Sequence, residues 1–522
     1  MLNRVILALL FSSSFLFAAG VRLTRADYLD RVHAVWVAQI AAVLADWPFE
    51  HQTASTLWIT NYPKKYVTAP VDDDWYYEMV AIRAFENHGI GLTVEQLGEQ
   101  WKKNACGSWG SSEQARFNLA KGLQAPDTGH PRYNKLWFTI GPQFSADVYG
   151  AIAPAMPNVA GRLARQFGHL NGYAEGTDGA VFMAAMVSLA FSETSTRDIV
   201  GKAASLIHPS SPYRKCLDLL IDMASRGASF EEVVSAVEDR WHIEYPATNN
   251  AVPNGGIVAA CVWFGEGDFL KTINLAARAA DFTDADCNAA NAAAVVGAMR
   301  GLKGIPPHMV QQLGDRIKGE KMGPVMLTPP VDESIFELAR RTVAIGEKFL
   351  AQNGARSESD TWSIPQSKIQ TQPLELFSLA DLMQYWNPDW TLERAGFGGA
   401  GGGMGGIRGI THLDGDVLAT YPRDEVRGLV LRRTVQLGAT PSLELQVGSD
   451  VGRAWELNVY ADNKLLEKRV IEGGTEGGRR WHEIKVNLAE FANRTTHLRL
   501  YQRVLVPNRV AGNAYWKSIR LN

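Results

Sequence analysis

The apolar residues of this 522-residue chain follow two different periods, one before about residue 353 and another after about residue 388. In the N-terminal region they recur three and four positions apart, which is typical of amphipathic helices. In the C-terminal region they alternate with polar residues, which is typical of strands with one buried face. A chain of this length also exceeds what one hydrophobic core usually organises. The pattern therefore predicts two domains of different fold class.

Residues 21–352 are predicted to form an all-α domain, which makes the protein mainly α. Capping boxes that begin at Thr93, Ser111 and Ser229 mark three helix starts. The other predicted helices cover about residues 27–47, 77–88, 180–191, 257–264, 269–279, 288–299 and 333–352. No alternation of period two stands out before Asn353, so we expect no strands in this domain.

Residues 353–387 are predicted to be a connector with one short helix near residues 379–385, and residues 388–522 an antiparallel β-sandwich of jelly-roll or galactose-binding-like type. Short alternating runs separated by turn residues support the sandwich. Its large aromatic residues are expected mainly in the core, although a glycan-binding platform stays open as an alternative. These residues are Trp455, Trp481, Tyr515 and Trp516.

The first 20 residues have the layout of a secretory signal, since Arg4 precedes an apolar run that ends in small residues. We therefore expect export to the periplasm or the medium, or membrane anchoring if the signal is not cleaved. After cleavage no stable membrane span is expected. The net charge of -3 gives no electrostatic reason to expect a nucleic acid partner.

Carboxylates at three places in the chain are the residues most informative about chemistry. Asp72, Asp73 and Asp74 precede one predicted helix, Asp284 and Asp286 precede another, and Glu50 follows the first helix. Neighbouring carboxylates repel one another unless water or a cation screens them, and a hard divalent cation prefers oxygen ligands. A solvated acidic helix N-terminus, which the helix dipole favours, is the alternative for each cluster.

Four ordered motifs between about Arg31 and His308 resemble those of the ADP-ribosylglycohydrolase family, which includes the dinitrogenase reductase-activating glycohydrolases. The most specific is Asp-Ala-Asp-Cys-Asn-Ala-Ala at 284–290, which is similar to the family's C-terminal Asp-Thr-Asp signature. Residues 72–75 resemble its Thr-Asp-Asp-Thr motif, and Pro48 with Glu50 matches the end of its first helix. Residues 141–147 and 176–180 resemble its central substrate-loop region, and residues 249–251 with 265–269 resemble the stretch before its final motif.

The resemblance implies an orthogonal helical bundle that binds two magnesium ions, or manganese, in a cleft and hydrolyses an ADP-ribosyl or related glycosidic bond. Carried over by position, the metal ligands are Asp72, Asp73, Asp74, Asp284 and Asp286, and the catalytic residues are Glu50, Asp73 and Asp284. Substrate contacts are expected from Asp147, Asn171, Gly176, Asp178 and Gly179. Cys287 replaces a Thr of the family motif, and its soft thiol is expected to pack beside the metal site.

Two other functions stay open from the sequence. One is an exported hydrolase of a different glycoside, and the other is a glycan-binding protein without catalysis on the same fold. The substrate in either case is a small molecule or a protein-linked sugar. Because Glu50 and both groups of Asp residues are present, the sequence favours catalysis over binding alone.

Overall fold

The computed structural model describes residues 20–242, 249–397, 409–475 and 478–522. The predicted signal, residues 1–20, lies outside the described residues except for Gly20, so export stays a prediction. Among the described residues, the helical segment Arg25–Phe49 is long and apolar enough to cross a bilayer, and 78% of its apolar window is buried inside the protein. The expected absence of a membrane span after cleavage likewise stays a prediction.

Helices form most of the first 352 residues, as predicted, and one more lies beyond them. They are α1 (Arg25–Asp46), α2 (Asp73–His88), α3 (Val94–Lys103), α4 (Gly110–Ala120), α5 (Gly141–Phe144), α6 (Asp147–Ala151), α7 (Pro157–Gly168), α8 (Glu175–Ala190), α9 (Thr196–Ala204), α10 (Pro212–Ser225), α11 (Phe230–Val237), α12 (Ala251–Gly265), α13 (Phe269–Ala277), α14 (Ala285–Arg300), α15 (Pro307–Gln312), α16 (Ile335–Gln352) and α17 (Leu379–Trp386).

The centre of the helical domain is the contact between α1 and α14. Almost every residue of α14 is buried, and small side chains such as Ala292 and Ala293 let the two helices approach closely. At Gly297 the approach leaves no room for a side chain, since a Cβ there would lie 2.5 Å from the backbone oxygen of Ala34. This close packing fixes where α14 begins, and therefore where its acidic first turn lies.

The strands are β1 (Val21–Thr24), β2 (Arg316–Met322), β3 (Val325–Ser334), β4 (Arg356–Glu358), β5 (Thr361–Ile364), β6 (Thr391–Glu393), β7 (His412–Asp414), β8 (Val417–Thr420), β9 (Leu429–Gln436), β10 (Ser442–Ser449), β11 (Ala454–Ala461), β12 (Lys464–Glu472), β13 (Trp481–Asn487), β14 (Thr495–Arg503) and β15 (Ala514–Leu521). Strand β1 and the hairpin of β2 and β3 lie within residues 21–352, where no strands were expected, so that expectation was wrong. Pro329 and Pro330 within β3, together with an irregular register, hide the alternation from the sequence.

Two of the three predicted capping boxes are confirmed, at Thr93 with Gln96 and at Ser229 with Glu232. The third is wrong, because α4 begins at Gly110 and Ser111 already lies inside its first turn. There the backbone N–H of Ser111 donates to the hydroxyl of Thr139, 3.2 Å away, so a distant residue takes the role predicted for a local cap.

Two five-stranded antiparallel sheets form the C-terminal region and confirm the predicted β-sandwich, in the orders β13-β10-β15-β8-β7 and β12-β11-β14-β9-β6. Trp455 and Trp516 are fully buried in its core, with ring centroids 5.2 Å apart. These two residues cannot form a glycan platform. Tyr515 is also buried, and Trp481 is half-buried.

The predicted connector packs on the helical domain. Strands β4 and β5 extend β1 into a three-stranded sheet, and the Gln372 N–H donates to the Leu206 carbonyl at 2.6 Å. Further along, the Glu375 carboxylate accepts hydrogen bonds from Arg165 at 3.1 Å and Thr177 at 3.0 Å. The domain boundaries themselves stay predictions.

Replacing Gly297 with Ala should lower the free energy of unfolding by about 1 to 3 kcal/mol, because the added methyl group would force α1 and α14 apart. The matched control is Gly201→Ala within α9, where a Cβ would have no heavy atom within 4 Å. That change should stabilise by about 0.5 to 1 kcal/mol. Urea unfolding measures both, and equal effects of the two substitutions would contradict the packing described.

Candidate active site

Helices α2 and α14 begin close together, and each has an Asp residue at its N-cap. Asp72 is the N-cap of α2 and accepts a hydrogen bond from the Asp74 N–H at 3.3 Å. Asp284 is the N-cap of α14, and Asp286 lies in its first turn. The partial positive charge of a helix N-terminus favours carboxylates at these positions.

A direct hydrogen bond joins the two helix starts. The Cys287 thiol of α14 donates to a carboxylate oxygen of Asp74 in α2 at 3.3 Å. The two Asp clusters, about 210 residues apart in sequence, are therefore neighbours in the fold, as predicted. Cys287 packs beside the carboxylates, and its sulfur also lies within 4.8 Å of oxygens of Asp284 and Asp286.

Glu50 reaches the same place because the chain after α1 runs alongside the segment before α14. A 3₁₀ turn at Trp47–Phe49 ends α1, and Glu50 follows it. The His51 N–H then donates to the Thr283 carbonyl at 2.9 Å, and the Phe282 N–H donates to the Gln52 carbonyl at 2.7 Å. These two bonds hold Glu50 next to Asp284.

A cavity of about 440 Å³ opens at this junction. All six predicted carboxylates line it, together with two tryptophan residues, Trp47 and Trp109, and the strand β2 with its following turn. The carboxylates are Glu50, Asp72, Asp73, Asp74, Asp284 and Asp286. The cavity therefore has an acidic side and aromatic and hairpin walls.

Burial and mutual repulsion act on these carboxylates together. Burial is the largest cause, and the nearby carboxylates of Asp72 and Asp284 the next, of a pKa of Asp73 well above its ordinary value. Burial followed by repulsion from neighbouring carboxylates also raises the pKa of Asp286. Burial, then Asp284 and Asp72, raises the pKa of Glu50 to about 8. The bare cluster therefore favours the uptake of positive charge.

Three carboxylate oxygens of the cluster are buried and have no hydrogen-bond partner among the described residues: Asp74 Oδ1, Asp284 Oδ1 and Asp286 Oδ1. An unpaired buried oxygen of this kind is costly unless a cation or water binds it. Their oxygen chemistry suits a hard divalent cation such as Mg²⁺. The donor set therefore fits the metal that the family motif implies.

Two neighbours of Asp284 were not among the predicted site residues. His51 lies with Nδ1 3.6 Å from Glu50 and Nε2 3.8 Å from Asp284. The side-chain amide of Asn249 donates to the second oxygen of Asp284. Asn249 belongs to a motif that the sequence resemblance had marked, whereas His51 carried no signal beyond its position after Glu50.

A sequence model of the ADP-ribosylglycohydrolase family matches residues 24–347, which is more than half of the chain. The chain belongs to the ADP-ribosylglycohydrolase family. Membership supports a glycosyl hydrolase activity for the helical domain. The match ends inside α16, so the β-sandwich lies outside the family region.

Comparisons beyond the family model are weak. No curated protein matches the chain. A solved ADP-ribosylglycohydrolase-related protein complex is 14% identical and covers 62% of this chain and 99% of that chain, with a TM-score of 0.41. A family 43 arabinoxylan arabinofuranohydrolase from Bacillus subtilis, solved with cellotetraose, is 14% identical and covers 34% of this chain and 36% of that chain, with a TM-score of 0.15. Both scores are low, so the family membership stands on the sequence match.

The five residues predicted to contact substrate do not line the cavity of this ADP-ribosylglycohydrolase-family domain. Asp178 is buried and pairs with Arg165 at 2.5 Å, and Asn171 donates to Ser112 at 2.9 Å. The two glycines allow α8 to approach its neighbours closely. A Cβ at Gly176 would lie 2.5 Å from the Trp137 carbonyl oxygen, and a Cβ at Gly179 would lie 2.5 Å from the Gln143 side chain. Their positions indicate packing roles.

Asp147, the fifth of these residues, belongs to a buried polar network behind the cavity. It accepts a hydrogen bond from Asn291 at 3.1 Å and lies near the buried carboxylate of Glu78. Glu78 accepts from Gln39 at 2.9 Å and from the Val148 N–H at 3.0 Å. Burial raises the pKa of Glu78 to about 8, so folding favours its neutral form.

Since the pKa of Glu78 is higher in the folded state than its ordinary value of 4.5, its contribution to stability is complete below about pH 4.5 and is lost as the pH rises to about 8. The free energy of unfolding of Glu78→Gln, taken relative to that of the parent protein, should therefore rise by at least about 1 kcal/mol as the pH is raised from about 5 to about 8. Urea unfolding at both pH values, in a chelator, measures the difference.

The exposed Glu95 of α3 provides the control, and Glu95→Gln should show no such change with pH. Identical pH profiles for Glu78→Gln and the parent protein would refute the assignment of a neutral Glu78.

Proposed function

We propose that the protein is a magnesium-dependent glycohydrolase that cleaves an ADP-ribosyl or related glycosidic bond at a binuclear metal centre. The observation that carries the proposal is the convergence of Glu50 with the acidic first turns of α2 and α14 in one cavity. Family membership supports the reaction class, and the carboxylate geometry supports the metal.

Five Asp residues would hold the two ions: Asp72, Asp73, Asp74, Asp284 and Asp286. Asp284 belongs to two groups of possible metal ligands. Its oxygens lie within 4.8 Å of ligand atoms of Glu50 and His51 in one group, and of Asp286 and Cys287 in the other. When bound, the metal ions would orient sugar hydroxyls and lower the pKa of water. Manganese has similar ligand preferences and is the second candidate.

Glu50 is more accessible to solvent than Asp284 is. Its side chain is 23% exposed, whereas that of Asp284 is 3% exposed. Glu50 is therefore placed to exchange a proton with a water that attacks the anomeric carbon. Asp73 and Asp284 would stabilise the positive charge that develops on the sugar ring as the glycosidic bond breaks.

A glycan-binding protein without catalysis is less well supported, because binding alone would not require so many buried carboxylates at one point. Hydrolysis of a different glycoside uses the same residues, and the assay below includes such substrates. A glycan partner for the sandwich and the absence of a nucleic acid partner stay predictions.

Replacing Glu50 with Gln should lower kcat by about 10²- to 10⁴-fold while leaving the fold intact, because the amide cannot exchange a proton with the attacking water. The measurement is release of ADP-ribose from ADP-ribosylated arginine with magnesium, followed by a panel of chromogenic glycosides. The matched control is Asp198→Asn, an exposed acid in the first turn of α9. Full activity of Glu50→Gln on the best substrate would exclude the proposed role.

Magnesium should stabilise the protein independently of any reaction. At a free magnesium concentration of about 100 times the Kd, the ion should add about 2.7 kcal/mol to the free energy of unfolding. Thermal unfolding and calorimetric titration after chelation measure this effect. Asp284→Asn should abolish most of the stabilisation and Asp198→Asn none, and an unchanged Tm shift in Asp284→Asn would remove the metal from the proposal.

A further inference from the structure

The hairpin of β2 and β3 supplies a wall of the acidic cavity that the sequence did not predict. Every residue from Lys318 to Gly323 lines the cavity. The hairpin lies at the end of the region that matches the family. Whatever binds in the cavity meets this wall.

The hairpin is held on both sides. On one side the Lys318 N–H donates to the Ala69 carbonyl at 2.9 Å, shortly before Asp72 in the chain. On the other, its turn packs so closely on Gly107 that a Cβ there would lie 2.5 Å from the Met322 carbonyl. The hairpin is therefore a fixed wall of the cavity.

An irregularity in the strand pairing leaves two lysines of β2 exposed. Ile317 and Met322 are both buried although they are five residues apart, a spacing that a regular strand would put on opposite faces. The register shifts between Gly319 and Lys321, which accounts for this. The same shift lets Lys318 and Lys321, three residues apart, both face away from the buried side.

These two lysines are the only cationic residues among the described residues that line the cavity. Lys318 is 3.6 Å from Asp332, which also pairs with Arg316. Lys321 is exposed and has no salt-bridge partner within the residues that the structure describes. Glu320 lies between them and also lines the cavity, so the lining residues 318–323 carry a net charge of +1.

We propose that Lys318 and Lys321 bind an anionic group of the substrate, a phosphate or a carboxylate, and so select charged glycosides over neutral ones. The inference rests on the proposed function for its site. An ammonium on a flexible stem is a common ligand for such groups. The acidic side of the cavity would meanwhile repel an anion, so the charged group is expected at the hairpin.

The test compares two matched pairs of sugars by calorimetric titration of the full chain: ribose 5-phosphate with ribose, and glucuronate with glucose. Each pair is measured with magnesium and with a chelator, because the ion itself can bind phosphate. The parent protein should bind the charged member of at least one pair more tightly, and the pair concerned tells phosphate from carboxylate.

Changing both lysines to Gln should reduce this preference about fivefold to tenfold at equal magnesium, and leave binding of the neutral sugar unchanged. Lys321→Glu should weaken the binding of the charged sugars further. The control Lys348→Gln, an exposed residue of α16, should have no effect.

Two results would overturn the inference: equal affinity of the parent protein for charged and neutral sugars, or a preference that survives in the double variant. Neither result depends on turnover. If no glycoside is hydrolysed but the preference is present and sensitive to the lysines, the proposed function fails while the hairpin site stands. If hydrolysis occurs without the preference, only the hairpin inference fails.

Discussion

Repulsion among carboxylates in a confined cavity is the constraint around which the helical domain is built. Seven acidic residues, the six of the cluster and Glu320, line one cavity of about 440 Å³, and three oxygens of the cluster are buried without a hydrogen-bond partner among the described residues. The N-termini of α2 and α14 offset some of this repulsion, since both helix dipoles point their positive ends at the cluster. The Cys287 thiol offsets a little more through its bond to Asp74. Repulsion remains among the carboxylates that stay ionised, and a divalent cation would relieve it.

Such a cluster persists only if the surrounding structure resists separation of its members. The close contact of α1 with α14 provides that resistance, and the backbone bonds between residues 51–52 and 282–283 add to it. The buried network of Glu78 and Asp147 lies behind the cavity, and its neutral carboxyl groups join α2 to α6 and α14. Stability and function are therefore coupled, because the helices that form the core also carry the acids.

Much of this could be predicted from the sequence. The period of the apolar residues located α1, α14 and α16 to within a few residues, and alternation located the strands β10, β11, β13 and β14. Acidic residues just before predicted helices marked both halves of the site. The hairpin of β2 and β3 was missed because its prolines and its register shift break the alternation. The residues predicted to contact substrate lie outside the cavity lining for another reason: motif position cannot tell a side chain that lines a cavity from one that packs behind it.

The sequence by itself determined which residues are the candidates for the chemistry, since the type of each residue and its place at a helix start are local properties. Whether distant acids meet is not local. That question was decided by the packing of α1 on α14 and by the pairing of residues near 51 with those near 283, which depend on the whole core. Tertiary structure also placed His51 beside Asp284 and the two lysines of β2 at the cavity, because long-range contacts bring them there.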